Sequence, residues 1–279
     1  MTNNPLINDS FREIVESHIF GNLLIQDTYS PLILGIFGPP GEGKTYQLEK
    51  VCKSLEVTQT IISPGELESE NAGYPAQLLR KLYLEAGTVK STPVQQGNPK
   101  VLVINDIDTV LGNWGELVQY TVNRQTLYGQ LMAFCDYPNQ VSGHETKRVP
   151  IIITGNNPSI LYPPLLRAGR MRLYPWEPTL KDKIHIVARI FEGISEGQIN
   201  NLISKYPDQP ISFWSDVDAR FREIQLHIWL KNRSRNDLIN NLRNRKEFAV
   251  GKKDATIDEL EKIAYELNKA NISKKTYLN

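Results

Sequence analysis

The octapeptide Gly38-Pro39-Pro40-Gly41-Glu42-Gly43-Lys44-Thr45 fits the phosphate-loop pattern G-x-x-x-x-G-K-[ST], and its flanks leave the chain little choice of fold. The apolar run 32–37 before it reads as a buried strand, and Tyr46 to Leu55 after it carries helix formers without a break. Strand, glycine turn and helix together make a phosphate cradle. Glycines let successive backbone N–H groups converge on a β-phosphate, and the helix N-terminus adds its dipole. Lys44 can reach β/γ oxygens and the Thr45 hydroxyl can ligand Mg²⁺. Nucleotide binding along Gly38 to Tyr46 is the resulting expectation.

Beyond the loop, short apolar runs alternate with amphipathic segments, the signature of a parallel sheet flanked by helices. Ser10 and Glu13 have capping-box spacing, with Phe11, Ile14, Val15, His18 and Ile19 following at helical spacing. Strands are predicted at 57–63, 101–104 and 149–154, and helices at 44–55, 75–86 and 119–136. Residues 87–100 and 139–147 read as loops. Past Pro178 the strand signals stop and the pattern becomes helical, so the expected organisation is an N-terminal helical extension over 1–30, an α/β nucleotide-binding part over 31–178 and a helical part over 179–279. A capping box at Thr256 and Glu259 opens the terminal helix, whose stripe Ile257, Leu260, Ile263, Ala264, Leu267 faces a core.

Acidic groups are expected where a phosphate-loop fold needs them, at the C-terminal tip of another strand. The run Val101-Leu102-Val103-Ile104 delivers Asn105, Asp106 and Asp108, about 60 residues past Lys44. Strand-end aspartates also serve as ordinary turn residues. The next strand ends in Asn156, a second polar tip. Further on, Leu165-Leu166-Arg167-Ala168-Gly169-Arg170 presents two arginines on a short helical segment and its cap. On a monomer these are an exposed basic pair; in a ring they could stabilise charge on a neighbour's γ-phosphate.

Composition narrows the partners. Of 279 residues, 40% are hydrophobic and the net charge is +1, so no global field draws the chain to nucleic acid or anionic lipid. Apolar runs such as 150–153 are too short to span a bilayer and no signal-peptide pattern opens the chain, which predicts a cytoplasmic protein. Cys52 and Cys135 form no C-x-x-C pair, and His18, His144, His185 and His227 have no metal-ligand spacing.

The order of phosphate loop, acid-tipped strand, Asn-ended strand, L-L-R-x-G-R and helical tail resembles the AAA+ ATPases. More narrowly, Gly65-Glu66-Leu67-Glu68-Ser69, Asn71-Ala72-Gly73, Ile104-Asn105-Asp106 and Gln119-Tyr120-Thr121-Val122-Asn123 are similar to Rubisco activase. The resemblance implies an ATP- and Mg²⁺-dependent motor, built as a homo-oligomeric and usually hexameric ring with a C-terminal helical lid, that frees inhibited Rubisco from tightly bound sugar phosphates. Carried over, Lys44 and Thr45 serve phosphate and Mg²⁺, Asp106 polarises water and assists the metal, and Asp108 supports it. Asn156 becomes the γ-phosphate sensor, Arg167 and Arg170 the arginine fingers, and Arg220 the lid's sensor-2 residue.

Departures accompany the match. Asn105 stands where most AAA+ proteins carry the metal-ordering aspartate, and Asp218 where the lid's first arginine is expected. Glu68 to Tyr74 and Gly112-Asn113-Trp114-Gly115 look like the two pore-facing loops, with Tyr74 in place of an acid. The short N-terminal segment and the tail Tyr277-Leu278-Asn279 point to a bare motor of the bacterial or cyanobacterial kind, without a redox tail. Two other readings stand beside it: a remodeller of another protein client, and a DNA-linked ATPase resting on the stretch Lys231 to Lys253, which has eight Lys or Arg against two Asp or Glu. A solvated helix face is the better explanation of such a stretch, because the chain is near-neutral overall.

Overall fold

Five parallel strands form the sheet that positions the site. They are β1 (Ile33–Phe37), β2 (Thr58–Ile62), β3 (Lys100–Ile104), β6 (Ile151–Gly155) and β7 (Met171–Pro175), in the spatial order β2-β3-β6-β1-β7. A two-stranded antiparallel hairpin, β4 (Gln140–Val141) and β5 (His144–Glu145), stands apart. The computed structural model describes residues 7–25, 30–67, 71–88, 97–108, 118–191, 193–245 and 255–277, with side chains described at neither 118–121 nor 272–277.

Every residue of β1 and of β6 is buried, because helices cover both faces of the sheet. Successive side chains then feed two different cores. Ile33, Leu102, Ile104, Ile151 and Ile153 pack with Leu79 and Tyr83 of α4 (Tyr74–Gly87) and with Leu127, Leu131 and Phe134 of α5 (Val118–Asp136). Leu34, Ile36, Val101, Val103 and Ile152 pack with Phe11, Val15 and Ile19 of α1 (Asp9–Leu23) and with Leu48, Val51 and Cys52 of α2 (Lys44–Ser54). A short helix, α3 (Pro64–Leu67), follows β2.

The chain divides into two compact units, 1–177 and 178–279. The second is all-helical: α6 (Leu180–Ile190), α7 (Glu196–Ser204), α8 (Ile211–Lys231), α9 (Arg235–Arg243) and α10 (Ile257–Tyr277). Capping boxes open α6 (Thr179 with Asp182), α7 (Ser195 with Gln198) and α10 (Thr256 with Glu259). Its core centres on the fully buried Trp214, edge-on to Phe213 at 5.1 Å, with Val187, Leu202, Leu260 and Ala264 around it. No residue of α9 is buried. Among the described residues, no helix is long and apolar enough to cross a membrane.

Two expectations are corrected and one strand is added. The cap of α1 is Asn8, whose Oδ1 accepts the Phe11 N–H, so Ser10 lies inside the helix and donates to Asn8 Oδ1 instead of forming a box with Glu13. Residues 139–147 hold the β4–β5 hairpin, turned at Ser142 and Gly143, both with positive φ. Strand β7 was not predicted; it is an edge strand with Arg172 and Leu173 exposed, so it lacks the apolar run that marks the central strands. The short helical segment expected before Arg167 is present as a 3₁₀ turn, Pro163–Leu166, with Arg167 at its C-cap. Of the region 87–100, residues 89–96 lie outside the described residues.

Helix α1 is fixed to the sheet partly through a buried histidine. His18 Nε2 meets the Ile151 carbonyl at 3.1 Å, and a carbonyl only accepts, so Nε2 carries the proton and Nδ1 faces the Asn22 amide at 3.4 Å. Burial holds the His18 pKa down at about 4, with Arg148 and Arg172 pushing the same way against the Ile151 hydrogen bond. The unfolded chain therefore binds a proton near pH 6.5 that the folded chain refuses until about pH 4. Stability from this site is full above pH 6.5 and is lost as pH falls toward 4, by up to about 3 kcal/mol. Denaturant titrations from pH 7 to pH 4.5 should show this loss in the wild type, and a His18→Gln variant should lack its share of the slope.

Candidate nucleotide site

Because β6 lies between β3 and β1, the loops that leave these three strands come together at one edge of the sheet. The first follows β1. Gly43 takes a left-handed φ of 79° at the N-terminus of α2 and no side chain caps that helix, so its leading N–H groups face the loop. Gly38 is fixed by sterics: a Cβ there would stand 1.9 Å from the Trp176 carbonyl oxygen. Trp176 closes the loop from the far side, its backbone N–H donating to Phe37 O at 2.6 Å and its indole Nε1 donating to Glu42 O at 2.7 Å. Phe11 packs edge-on against its ring at 5.1 Å.

Lys44 is buried at the centre of this arrangement. Its Nζ donates to Gly38 O at 2.8 Å, to Pro39 O at 2.9 Å and to Asn156 Oδ1 at 3.1 Å. Burial pushes its pKa below the ordinary lysine value, and the carboxylates of Asp106, Asp108 and Glu42 pull it back up. A desolvated cation beside a glycine cradle and a helix N-terminus suits a polyphosphate. The donor set suits Mg²⁺ as well: Thr45 is exposed at the start of α2 and Asp106 stands at the neighbouring tip. Tyr46, 44% exposed, carries Lys50 Nζ over its ring at 5.0 Å.

The two acids after β3 are held differently. Asp106 takes a φ of 47°, left-handed for a non-glycine residue, and its N–H donates to Thr154 Oγ1 at 3.1 Å. Asp108 turns its carboxylate to β6, accepting the Asn156 N–H on Oδ2 and the Asn157 N–H on Oδ1. The two arginines also part company. Arg170 makes a bidentate pair with Asp136, at 2.8 and 3.0 Å, and donates to Pro164 O at 3.1 Å. Arg167 is exposed: its backbone carbonyl accepts the Arg170 N–H at 3.1 Å, but its guanidinium makes no hydrogen bond or ion pair among the described residues.

In the second unit, Arg220 of α8 pairs with Glu223 at 2.5 Å and Asp218 pairs with Arg222 at 2.7 Å. Of the two loop candidates, Trp114 lies outside the described residues, as do 68–70; Tyr74 is 43% exposed in the first turn of α4. Trp176 and Thr154 escaped sequence reasoning. The edge strand that leads to Trp176 carries no apolar run, so no sequence signal marked that residue.

Comparison with known proteins falls into two parts that meet near the boundary between the units. A family model described as ATPase family associated with various cellular activities (AAA) matches residues 34–174, and one described as ribulose bisphosphate carboxylase/oxygenase activase, AAA, helical, matches residues 180–271. The chain is 42% identical over 225 residues to the ribulose bisphosphate carboxylase/oxygenase activase of Nostoc sp. (strain PCC 7120), covering 77% of this chain and 54% of that protein. It is 38% identical over 233 residues to the chloroplastic protein of that name from Chlamydomonas reinhardtii, covering 80% and 56%, and 39% identical over 225 residues to the one from Zea mays, covering 78% and 51%. It thus spans about half the length of these curated relatives.

Two outcomes follow from the geometry. Gly38→Ala should abolish nucleotide binding in a titration, because its methyl group cannot coexist with Trp176 O, whereas Gly65→Ala, with open space at its Cβ, should bind normally. Arg170→Ala should lower stability by about 1–2 kcal/mol through loss of the bidentate pair, while Arg167→Ala should stay within about 0.5 kcal/mol, both read by chemical denaturation without nucleotide.

Proposed function

The chain belongs to the AAA family of ATPases, and we propose that it hydrolyses ATP at the β1, β3 and β6 tips as a subunit of a hexameric ring that remodels Rubisco and frees it from tightly bound sugar phosphates. The observation that carries the hydrolytic part is the contact of Lys44 with Asn156 beside Asp106. Support for the client is the helical half: its matching model bears the name of an activase, where the first half alone matches a general ATPase model.

In this reading Lys44 and the N–H groups opening α2 bind the β/γ-phosphate oxygens, replacing the internal acceptors that now satisfy the ammonium. The Thr45 hydroxyl and the Asp106 carboxylate hold Mg²⁺, which supplies neutralisation of the phosphate charge. Asp106 also polarises the attacking water, and Asn156 presents its amide to the γ-phosphate. Arg167, whose guanidinium has no partner among the described residues, reaches a neighbouring subunit's site; Arg170 shapes the turn that presents it. The second unit acts as the lid and offers Arg220 as its nucleotide-sensing side chain. Trp114 and Tyr74 supply aromatic grip on the client. The cytoplasm is the compartment this reading implies.

ATP turnover separates the client readings. Phosphate release should rise when sugar-phosphate-inhibited Rubisco is added, carboxylase activity should recover in step, and DNA should change neither. Stimulation by DNA alone would move the assignment to a nucleic-acid-linked ATPase. Lys44→Ala should lose nucleotide affinity, whereas Asp106→Asn should bind ATP and turn it over at least about 100-fold more slowly. Turnover per subunit should climb with protein concentration and collapse in Arg167→Ala, since a finger given in trans is worth about 10³ to 10⁵ in rate.

A further inference from the structure

The tips of β3 and β6 hold each other through side chains, in both directions. Thr154 of β6 is wholly buried. Its hydroxyl oxygen accepts the Asp106 backbone N–H at 3.1 Å and its proton goes to Asn105 Oδ1 at 3.2 Å. In return, the carboxylate of Asp108, just past β3, accepts the backbone N–H groups of Asn156 and Asn157, the second at 3.2 Å. Asn157 then caps the next 3₁₀ turn by accepting the Ser159 N–H at 2.9 Å. None of these bonds belongs to the sheet, whose β3–β6 pairing ends at Ile104 opposite Ile153.

The β1–β6 ladder carries Thr154 and Gly155 on one side, opposite Ile36 and Phe37, but no ladder pair holds the β3 tip beyond Ile104. Asp106 in particular sits at a φ of 47°, in the left-handed region that aspartate enters more readily than most residues, and the bond from its N–H to Thr154 helps hold it there. A hydroxyl is suited to the task, because it accepts from one loop residue and donates to another at once. A carboxylate suits the reverse task, since each of its two oxygens can take one of two adjacent N–H groups.

We propose that Thr154 and Asp108 are positioning residues that lock the water-polarising Asp106 and the sensor amide of Asn156 into one rigid unit, and that Asp108 takes no direct part in water activation. This rests on the ATPase reading above. Asn156 reaches Lys44 on its other side, at 3.1 Å, so the clasp also sets where the amide meets the phosphate-binding cation. Displacement of a reacting group by about 1 Å can cost about 100-fold in rate, so a clasp of this kind is worth kinetically far more than its share of stability.

Steady-state kinetics and amide exchange together test it. Thr154→Val and Asp108→Asn should each lower kcat by about 10- to 100-fold while KM for ATP and affinity for ADP stay within about threefold, because the phosphate loop is untouched. Thr154→Ser keeps the hydroxyl and should return kcat to within about threefold of wild type. Wild-type kcat in Thr154→Val, or a Thr154→Ser variant as slow as Thr154→Val, would overturn the proposal, as would kcat and KM worsening together. Hydrogen exchange on nucleotide-free protein reads the Asp108 half without turnover. The Asn156 and Asn157 amides should exchange faster in Asp108→Asn while those of Ile152 and Ile153 do not change; unaltered exchange at Asn156 and Asn157 would sink the clasp. If the wild type binds nucleotide but never hydrolyses it, the ATPase reading fails, and the exchange result still decides whether the clasp exists.

Discussion

A buried ammonium needs acceptors for its protons, and meeting that need at Lys44 organises the first unit. Removal of a cation from water costs far more than a typical hydrogen bond returns, so an unpartnered Lys44 would not stay buried. Its three acceptors come from two places: the Gly38 and Pro39 carbonyls of its own loop and the Asn156 side chain from another strand. The first pair requires a loop that doubles back on its helix, which the left-handed Gly41 and Gly43 permit. The third requires β6 beside β1, although more than a hundred residues separate them in sequence. The non-sequential strand order is thus the arrangement that brings a distant amide to the lysine.

Much of this was legible in the chain. Central strands are buried on both faces and so announce themselves as continuous apolar runs; β1, β3 and β6 were located from Leu34, Val103 and Ile152 and their neighbours. Edge and surface strands carry no such mark. In β7 only Met171 is buried, and Arg172 and Pro175 face out, so the pattern looks like a loop. The hairpin at 140–145 pairs two residues with two, too few for any periodicity to register. Helix capping was misplaced at Ser10 because Asn8 starts the helix two residues earlier, and spacing alone cannot rank two good caps so close together.

Side-chain roles were less legible than positions. Asp106 and Asp108 are chemically identical and two residues apart, yet one follows a left-handed turn under Thr154 and the other bends across to the β6 loop. The difference is made by a residue 46 positions beyond Asp108, so no local reading could supply it. The arginines tell the same story: Asp136, at the end of α5, is what sets Arg170 apart from Arg167. Trp176 was missed because its importance lies in its carbonyl and indole N–H, which touch both ends of the phosphate loop, and hydrophobic patterning sees only its ring.

Trp176 also has a mechanical meaning. The first compact unit ends at Glu177, so the covalent connection to the second unit departs from the residue directly after one that hydrogen-bonds both the end of β1, at Phe37 O, and the phosphate loop, at Glu42 O. A tether that starts from a floppy loop would stretch before transmitting any force. One that leaves beside Trp176 starts from backbone hydrogen-bonded to the end of β1 and packed on the phosphate loop, so its first-unit end has a fixed origin.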